Sequence, residues 1–234
     1  MKIGIFGIEG FSTGKGNIVD ERIDTLKDMF KSAKKVFIQA DIITESDKLK
    51  EADGIVCPEK GRFDLIVGDL EFVETRLERT EDPVEKELFN RFKPMLEKEE
   101  LLAGVVLSEA EKKIIQGYPL LTMKPLFLVK SEDLENKEKI LFSAYYGLGF
   151  ISFFTAGDKD SHSWAVRKGA SAWEAAGCIH SDIQKGFIRA EVMSYADLMS
   201  AGDFNQARAH DKLRLENKEY VVQDGDLINF RFNK

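Results

Sequence analysis

The sequence predicts an α/β unit followed by a compact α+β domain. Short apolar runs alternate with helical patterns over residues 1–68, and a charged helical stretch follows at about 69–116. Short β-rich runs separated by Gly and Asp turns fill the last third of the chain. We therefore expect two domains, residues 1–146 and 147–234, with the helical stretch forming an arm of the first.

The predicted strands of the first domain are short, and helical segments separate most of them. They are the runs KIGIFG (2–7), KVFIQADII (35–43), GIVCP (54–58), FDLIVG (63–68) and, after the arm, PLFLVKS (125–131). Asn17 is the expected cap of a helix between the first two strands, where apolar residues recur at helical spacing. Strands that alternate with helices favour a small parallel sheet.

The arm is predicted to be an antiparallel pair of helices. Asp82 and Pro83 form an N-cap and first-turn pair, and Pro94 predicts a kink in the helix that they begin. Apolar residues form one stripe along that helix: Val84, Leu88, Phe92 and Met95. This stripe is expected to pack the two helices together, with the charged residues facing solvent.

The last third has the pattern of a mixed sheet with one main helix. Its β-rich runs are FISFFTAG, SWAVRKG, GFIRAEVMSY and KEYVVQDGDLINFRF, with a single helical stretch near residues 171–176. Residues 224–226 (DGD) are predicted to be a hairpin turn between YVVQ and LINFRF. The two glycines of YYGLGF place the domain boundary near 145–150.

Composition indicates an ordinary globular protein, with 43% hydrophobic and 32% charged residues. No apolar run approaches the length of a membrane span, so we expect a cytoplasmic protein that does not bind membranes. Cys57 and Cys178 are far apart, and we expect two buried free thiols. The formal net charge of −7 makes wrapping around nucleic acid unfavourable and gives no reason to expect DNA binding. From residue 151 onward the chain is nearly neutral, with 11 Lys and Arg against 12 Asp and Glu, so an anionic partner is tolerated there.

Several long segments resemble the YchF, or Obg-like ATPase, family. FFTAG (153–157), AAGCIHSDIQKGFIRAEV (175–192) and VVQDGDLINFRFN (221–233) are similar to the TGS domain of that family. LSEAEKKIIQGYPLLTMKP (107–125) and DLEFVETRLER (69–79) resemble its base-recognition region and helical arm. The resemblance implies a β-grasp, ubiquitin-like fold for the C-terminal domain and a remnant of a P-loop GTPase-like domain before it. It also implies an association with ribosomes and translation.

The segment GIEGFSTGKGN (7–17) lies where a phosphate-binding loop would lie, between a strand and a predicted helix. The P-loop spacing is G-x-x-x-x-G-K-[ST], because backbone amides and the Lys hold phosphates while the hydroxyl holds Mg²⁺. Six residues separate Gly7 from Gly14 and three separate Gly10 from Gly14, where the motif needs four. After Lys15 comes Gly16, which has no hydroxyl for the metal.

Two further nucleotide motifs of the family are also incomplete. Asp41 stands where the family has the Asp of Asp-x-x-Gly, but Thr44 replaces the glycine. Glu132 stands where the family has the Glu of Asn-x-x-Glu, but Val129 replaces the asparagine. With three motifs degraded together, we predict a relic P-loop that does not hydrolyse nucleotide, and we expect no cofactor. The favoured interpretation is a connecting turn. The alternative is weak binding of ATP or GTP with Mg²⁺ through Gly7, Gly10, Gly14, Lys15, Gly16, Asp41 and Glu132.

Basic and aromatic residues alternate in the C-terminal part, a pattern that can bind RNA through phosphate contacts and base stacking. The candidate RNA- or partner-binding residues are Arg167, Lys168, His180, Lys185, Arg189 and Arg231. The aromatic residues between them are equally compatible with a core. His180 and Asp182 can be read as a base with a carboxylate, but we favour a local turn. The histidines lack metal-ligand spacing, no nucleophile motif is present, and we assign no catalytic residue.

Two functions therefore remain in competition. The first is a non-catalytic TGS-domain binding protein that contacts the ribosome, RNA or a protein of translation or stress response. The second is an ATPase or GTPase with an unorthodox loop, using Lys15 on the phosphates and Asp41 near Mg²⁺. The sequence makes no prediction of oligomeric state.

Overall fold

A computed structural model describes residues 1–233. The strands are β1 (Lys2–Ile5), β2 (Gly14–Ile18), β3 (Lys34–Val36), β4 (Ile38–Ile43), β5 (Gly54–Pro58), β6 (Leu126–Val129), β7 (Phe150–Ala156), β8 (Asp160–Arg167), β9 (Phe187–Ser194), β10 (Arg214–Glu216) and β11 (Asp226–Phe232). The α-helices are α1 (Arg22–Phe30), α2 (Gly61–Arg79), α3 (Pro83–Glu97), α4 (Glu109–Ile115), α5 (Lys137–Gly147), α6 (Ala172–Ile179), α7 (Ser181–Lys185), α8 (Tyr195–Ala201) and α9 (Phe204–Ala209).

The chain divides into two compact units. The first consists of Met1–Gly16 and Gln39–Leu148, and the second of Asn17–Ile38 and Gly149–Lys234. Residues 17–38, which the sequence prediction placed in the first domain, group with the second unit.

The first unit is built on a five-stranded sheet in the order β2-β4-β1-β5-β6. β1 is parallel to both β4 and β5, and β6 is parallel to β5. The strands are short because polar or turn residues interrupt each apolar run. β5 is buried along its whole length, as expected for a central strand of a parallel sheet covered on both faces.

Two sequence predictions for this unit were wrong. Residues 63–68 were predicted to be a strand but lie within α2, where Leu65, Ile66 and Val73 are buried at helical spacing. The run was too short to distinguish a strand from the first turns of a helix. The run 35–43, predicted to be one strand, is divided into β3 and β4, which belong to different sheets.

The predicted arm is formed by α2, α3 and α4. The side chain of Asp82 accepts hydrogen bonds from the backbone amides of Val84 and Glu85, and Pro83 begins α3, as the sequence predicts. Pro94 is accommodated within α3 without ending it. The two long helices pack through an apolar core whose buried members include Leu88, Phe89, Phe92 and Leu96.

One polar network crosses this helical core. The Glu85 carboxylate accepts hydrogen bonds from Arg76, Thr80 and Tyr118. Burial alone would raise the pKa of Glu85, but these three donors hold it below its usual value.

The second unit is built on a six-stranded mixed sheet in the order β10-β9-β11-β7-β8-β3. β7 is antiparallel to β8 and parallel to β11, whereas β9 is antiparallel to both β10 and β11. On one face of this sheet, an apolar core packs α6 against the strands. A second apolar cluster, to which α1, α8 and α9 contribute, is built on strand residues that alternate with those of the first, such as Phe154, Met193 and Leu227. The successive side chains of each strand therefore serve opposite faces.

Further details of this unit differ from the sequence predictions. Helices α7, α8 and α9 accompany the single predicted helix, which is α6. Residues 224–226 lead into β11, which begins at Asp226, but they do not join two strands of a hairpin, since Val221 makes only an isolated bridge to Ser171. Both cysteines are free, but only Cys57 is buried and Cys178 is exposed. Burial raises the pKa of the Cys57 thiol to about 11.

Over residues 1–233, no helix combines the length and apolarity needed to cross a membrane.

Candidate functional site

The glycine-rich segment begins as a loop at the carboxyl end of β1. Gly7 and Gly10 adopt positive φ angles of 65° and 81°, which favour glycine. The loop borders a cavity of about 550 Å³ at the same edge of the parallel sheet. The lining residues are Gly7, Ile8, Glu9, Gly10, Pro58, Lys60, Leu134, Glu135 and Lys137. Ligands of open α/β sheets bind in crevices at this edge.

Two lysines are among the residues that line this cavity. Lys60 directly precedes α2, whose first turn receives no hydrogen bond from a capping side chain. Lys137 is the first residue of α5, and its Nζ lies 5.8 Å from the centroid of the Phe11 ring. Glu9 and Glu135 also line the cavity, so its charges are balanced rather than strongly positive.

The second half of the glycine-rich segment is a strand rather than a turn before a helix. Gly14, with φ of 148°, begins β2, and Lys15 and Gly16 lie within it. Asn17 is also in this strand, and α1 begins five residues later after Glu21, with no side-chain cap. The predicted connection from glycine loop to helix is therefore wrong, and so is the predicted Asn17 cap.

Lys15 and Asp41 bind each other. The Lys15 ammonium lies 2.6 Å from Oδ1 of Asp41 on the neighbouring strand β4. This hydrogen bond lowers the pKa of Asp41. Asp41 is level with Lys2 at the amino end of β1, three residues before the edge where the loop emerges. At about 3.3 Å per residue, the pair lies roughly 10 Å from that edge.

The remaining predicted nucleotide-binding residues also fail to converge. Glu132 is exposed in a short 3-10 turn after β6 and does not line the cavity. Val129, at the asparagine position, is buried as the last residue of β6. Thr44, at the glycine position, accepts or donates a hydrogen bond of 2.9 Å with the Thr13 hydroxyl. Of the predicted set, only Gly7 and Gly10 reach the cavity.

Sequence reasoning missed Lys60 and Lys137. The signal for Lys60 was its position in CPEKG, where Pro58 and Gly61 mark a loop directly after a buried strand. The interpretation of residues 63–68 as a strand concealed that junction. Lys137 had a weaker signal, the Asn136 cap, whose side chain accepts from the Lys139 amide.

No group of three or more His, Cys, Asp or Glu side chains within residues 1–233 is arranged to hold a metal ion.

The six residues predicted to bind RNA or a partner form two groups in the second unit. The Arg167 group is Arg167 and Lys168 at the end of β8, and the His180 group is His180, Lys185, Arg189 and Arg231, near the end of β11. Arg231 is directly opposite Arg189 across β11 and β9, whereas Arg167 is opposite Phe150 at the start of β7. Because Asp226 is level with Phe153, Arg231 extends past the far end of β7. Counting along the strands, the two groups are roughly 26 Å apart at about 3.3 Å per residue.

The Arg167 group and the His180 group have different surroundings. The Arg167 guanidinium stacks 3.9 Å from the centroid of the Phe150 ring, and Lys168 follows it in a turn. His180 Nδ1 accepts a hydrogen bond of 3.1 Å from the Asp182 amide and caps α7, which Lys185 ends. The favoured interpretation of His180 as part of a local turn is therefore confirmed.

These features define a class of α/β protein with a sheet whose strands β4, β1, β5 and β6 are parallel, a helical arm and a second, mixed sheet. Comparison with known proteins is consistent with this class. Residues 150–233 match the family described as "YchF-GTPase_C: Protein of unknown function (DUF933)". The chain is 33% identical over 264 residues to the "Ribosome-binding ATPase YchF" of Bacillus subtilis, covering 85% of this chain and 71% of that protein.

Other relatives and one solved structure point to the same family. The "Ribosome-binding ATPase YchF" of Haemophilus ducreyi is 29% identical, with 84% and 70% coverage. "Obg-like ATPase 1" of Danio rerio is 48% identical over 95 residues, 41% of this chain and 24% of that protein. The fold is similar to that of the Schizosaccharomyces pombe YchF GTPase, with a TM-score of 0.74, 21% identity and coverage of 99% and 97% of the two chains. The chain belongs to the YchF, or Obg-like ATPase, family.

Proposed function

We propose that this protein is a ribosome-associated binding protein of the YchF family that does not hydrolyse nucleotide. Ribosome binding is supported by the Bacillus subtilis and Haemophilus ducreyi relatives, which are named ribosome-binding ATPases. This partner also favours a cytoplasmic location. The loss of hydrolysis is supported by one observation above all: the residues that should enter a helix after the glycine loop form strand β2.

The chemistry of a P-loop depends on the helix that is missing here. Its N-terminal amides hold the phosphates and its dipole favours their charge. In this chain Lys15 is instead engaged by Asp41 on the sheet. A Cβ at Gly16 would lie 3.1 Å from Ile42 and 3.2 Å from Leu141, so the position expected to supply the metal-binding hydroxyl is crowded. Lys15 is therefore held by Asp41 on a strand and is not positioned by a helix to contact a phosphate.

We further propose that residues 147–234 form a β-grasp domain of the TGS type, extended by residues 17–38. The helix α6 packed on a mixed sheet supports this assignment, as does the family match to residues 150–233. In this proposal the first unit with its helical arm is a platform, and the second unit carries the contact with ribosomal RNA or a translation protein.

Cosedimentation tests the ribosome proposal. The purified protein is expected to pellet with ribosomes at low salt and to be released progressively as salt rises, because phosphate contacts release counterions. Pelleting should not require added ATP. Failure to pellet at both low and moderate salt would reject the proposal, and the protein centrifuged alone controls for aggregation.

Nucleotide binding without hydrolysis is a second candidate function, favoured by the cavity at the carboxyl edge of the first sheet. The positive φ angles of Gly7 and Gly10 allow the backbone to approach a ligand closely there. The ammonium groups of Lys60 and Lys137 can donate charge-assisted hydrogen bonds to phosphate oxygens there.

Calorimetric titration with ATP and with GTP, each with Mg²⁺, tests this candidate. If the cavity holds the phosphates, Lys60→Ala or Lys137→Ala weakens binding about tenfold, the usual effect of removing one charge-assisted hydrogen bond. Lys15→Ala is the matched control and should leave the affinity unchanged, because Lys15 lies on the strand away from the cavity. A larger effect of Lys15→Ala, or hydrolysis that depends on Lys15, would overturn both this site and the non-catalytic proposal.

A further inference from the structure

The uncovered half of the second sheet carries an unusual arrangement of arginines. Arg189 on β9 and Arg231 on β11 are directly opposite each other, and both are exposed. Like charges directly opposite on a sheet are destabilising. Arg208 of α9 lies near enough to Glu191 to favour its charged form. We call the surface formed by Arg189, Arg208, Arg231 and Asn229 the arginine face.

One carboxylate holds this face together without neutralising it. Glu191 accepts hydrogen bonds from Arg231 and from Asn229 Nδ2, the latter at 2.6 Å. Burial opposes ionisation of Glu191, but these partners keep its pKa below the usual value. Arg189 and Arg208 form no salt bridge with any other residue in the range 1–233. Three positive charges therefore face one negative charge, and two of the guanidinium groups remain available to a ligand.

A recess adjoins the arginine face. It has a volume of about 290 Å³ and is lined by Phe30, Ala156, Glu191, Phe204, Leu213, Leu227, Ile228 and Asn229. Phe30 and Phe204 are half-buried, with ring centroids 5.5 Å apart. Asn229 lines the recess and lies two residues before Arg231 on the same face of β11, about 7 Å away. The recess therefore lies beside the arginine face.

We propose that the arginine face binds single-stranded RNA, with the phosphates on Arg189 and Arg208 and one unstacked base in the Phe30–Phe204 recess. Arginine forks beside half-exposed aromatic rings are the combination that single-stranded nucleic acid uses, through backbone charge and base stacking. An acidic peptide without aromatic residues, such as poly-glutamate, would use the charges but has no planar group for the recess. This inference rests on the proposed ribosome association and specifies the part of the surface that would carry it.

The test uses the full chain and a fluorescein-labelled single-stranded RNA of mixed sequence, followed by fluorescence anisotropy over a salt series. The double variant Arg189→Gln/Arg208→Gln should weaken binding at least ~10-fold. It should also flatten the salt dependence by about 0.7 in slope for each phosphate that is no longer neutralised. Lys86→Gln/Lys113→Gln, two exposed lysines of the helical arm, removes the same number of positive charges; it is the matched control and should change neither. Arg231 is not substituted, because its removal would also take its hydrogen bond and ion pair from the Glu191 carboxylate.

A third variant separates the base from the phosphates. Phe204→Leu keeps an apolar side chain in the core but removes the ring, so it should weaken RNA binding at least ~5-fold and leave binding of inorganic polyphosphate unchanged. Thermal unfolding verifies that each variant is folded. Equal weakening in the two double variants, no weakening in either, or tighter binding of poly-glutamate than of RNA would overturn the inference.

Ribosome pelleting of the same variants distinguishes the two proposals. If the wild-type protein pellets with ribosomes and Arg189→Gln/Arg208→Gln pellets equally well, the arginine face is wrong and the ribosome proposal survives. If the wild-type protein does not pellet, the ribosome proposal fails, and the RNA titration alone decides whether the face binds RNA.

Discussion

Replacing Asp69 with alanine is expected to lower the free energy of unfolding of the first unit by about 3 kcal/mol, roughly 1 kcal/mol for each of the three hydrogen bonds that it removes. Asp69 is 4% exposed on α2. Its carboxylate accepts from the Leu121 amide at 3.0 Å and from the amide and hydroxyl of Thr122 at 2.7 and 2.6 Å. Alanine would leave the two buried donors of Thr122 and the half-buried Leu121 amide without this acceptor.

The size of this effect follows from where the carboxylate lies. Burial raises the pKa of Asp69, although hydrogen bonds from Thr122 and Leu121 oppose the shift. The side chain ties α2 to the short 3-10 turn at residues 121–123, which leads into β6. The contact therefore joins the helical arm to the sheet of the same unit, and its removal affects both.

Chemical denaturation followed by far-UV circular dichroism measures the change. Asp69→Asn, which retains one acceptor oxygen, should lose less stability than Asp69→Ala. Glu71→Ala on the same helix is the control, because Glu71 is exposed and its carboxylate makes no hydrogen bond or salt bridge within residues 1–233. A destabilisation by Asp69→Ala no greater than that by Glu71→Ala, within about 0.5 kcal/mol, would contradict this account.

The sequence predicted those elements of the fold that local patterns determine. Strand β5 ends at Pro58 and α3 begins at the Asp82 cap, as expected. It failed where the deciding contact is distant along the chain. Residues 35–43 are uniformly β-forming, but β3 pairs with β8 and β4 pairs with β1, and no local pattern encodes that division.

The candidate site shows the same limit. The degraded spacing around Lys15 was readable and led to the prediction that this loop is not a working P-loop. The engagement of Lys15 by Asp41 was not readable, because the pair forms only when β2 lies beside β4. Similarly, the sequence identified Arg189 and Arg231 as candidates but could not show that strand register places them opposite each other.

Arg22→Ala is expected to destabilise the second unit by about 3 kcal/mol, the usual cost of removing one partner from a buried ion pair. Asp20 is 2% exposed, and Arg22 donates to it from Nε at 3.0 Å and from Nη2 at 2.7 Å. Arg22 Nη1 also lies 2.8 Å from Oδ2 of Asp224, which is 202 residues away in the sequence. The same guanidinium lies 5.1 Å from the centroid of the buried Phe154 ring.

Arg22 thus attaches residues 17–38 to the sheet formed by the C-terminal part of the chain, a connection that the predicted domain boundary excluded. Arg22→Ala leaves the Asp20 carboxylate buried without its arginine. Arg22→Lys keeps the positive charge but loses the bidentate geometry of the guanidinium group, so the stability of this variant should fall between those of the wild type and Arg22→Ala. Lys27→Ala on the same helix is the control, since the Lys27 ammonium makes a long contact, 4.0 Å, with the carboxylate of the exposed Asp28. Denaturant unfolding should show a large shift for Arg22→Ala and a change within about 0.5 kcal/mol for Lys27→Ala. Equal shifts would mean that the Asp20–Arg22–Asp224 contacts do not hold α1 to this unit, and the assignment of residues 17–38 would need another physical basis.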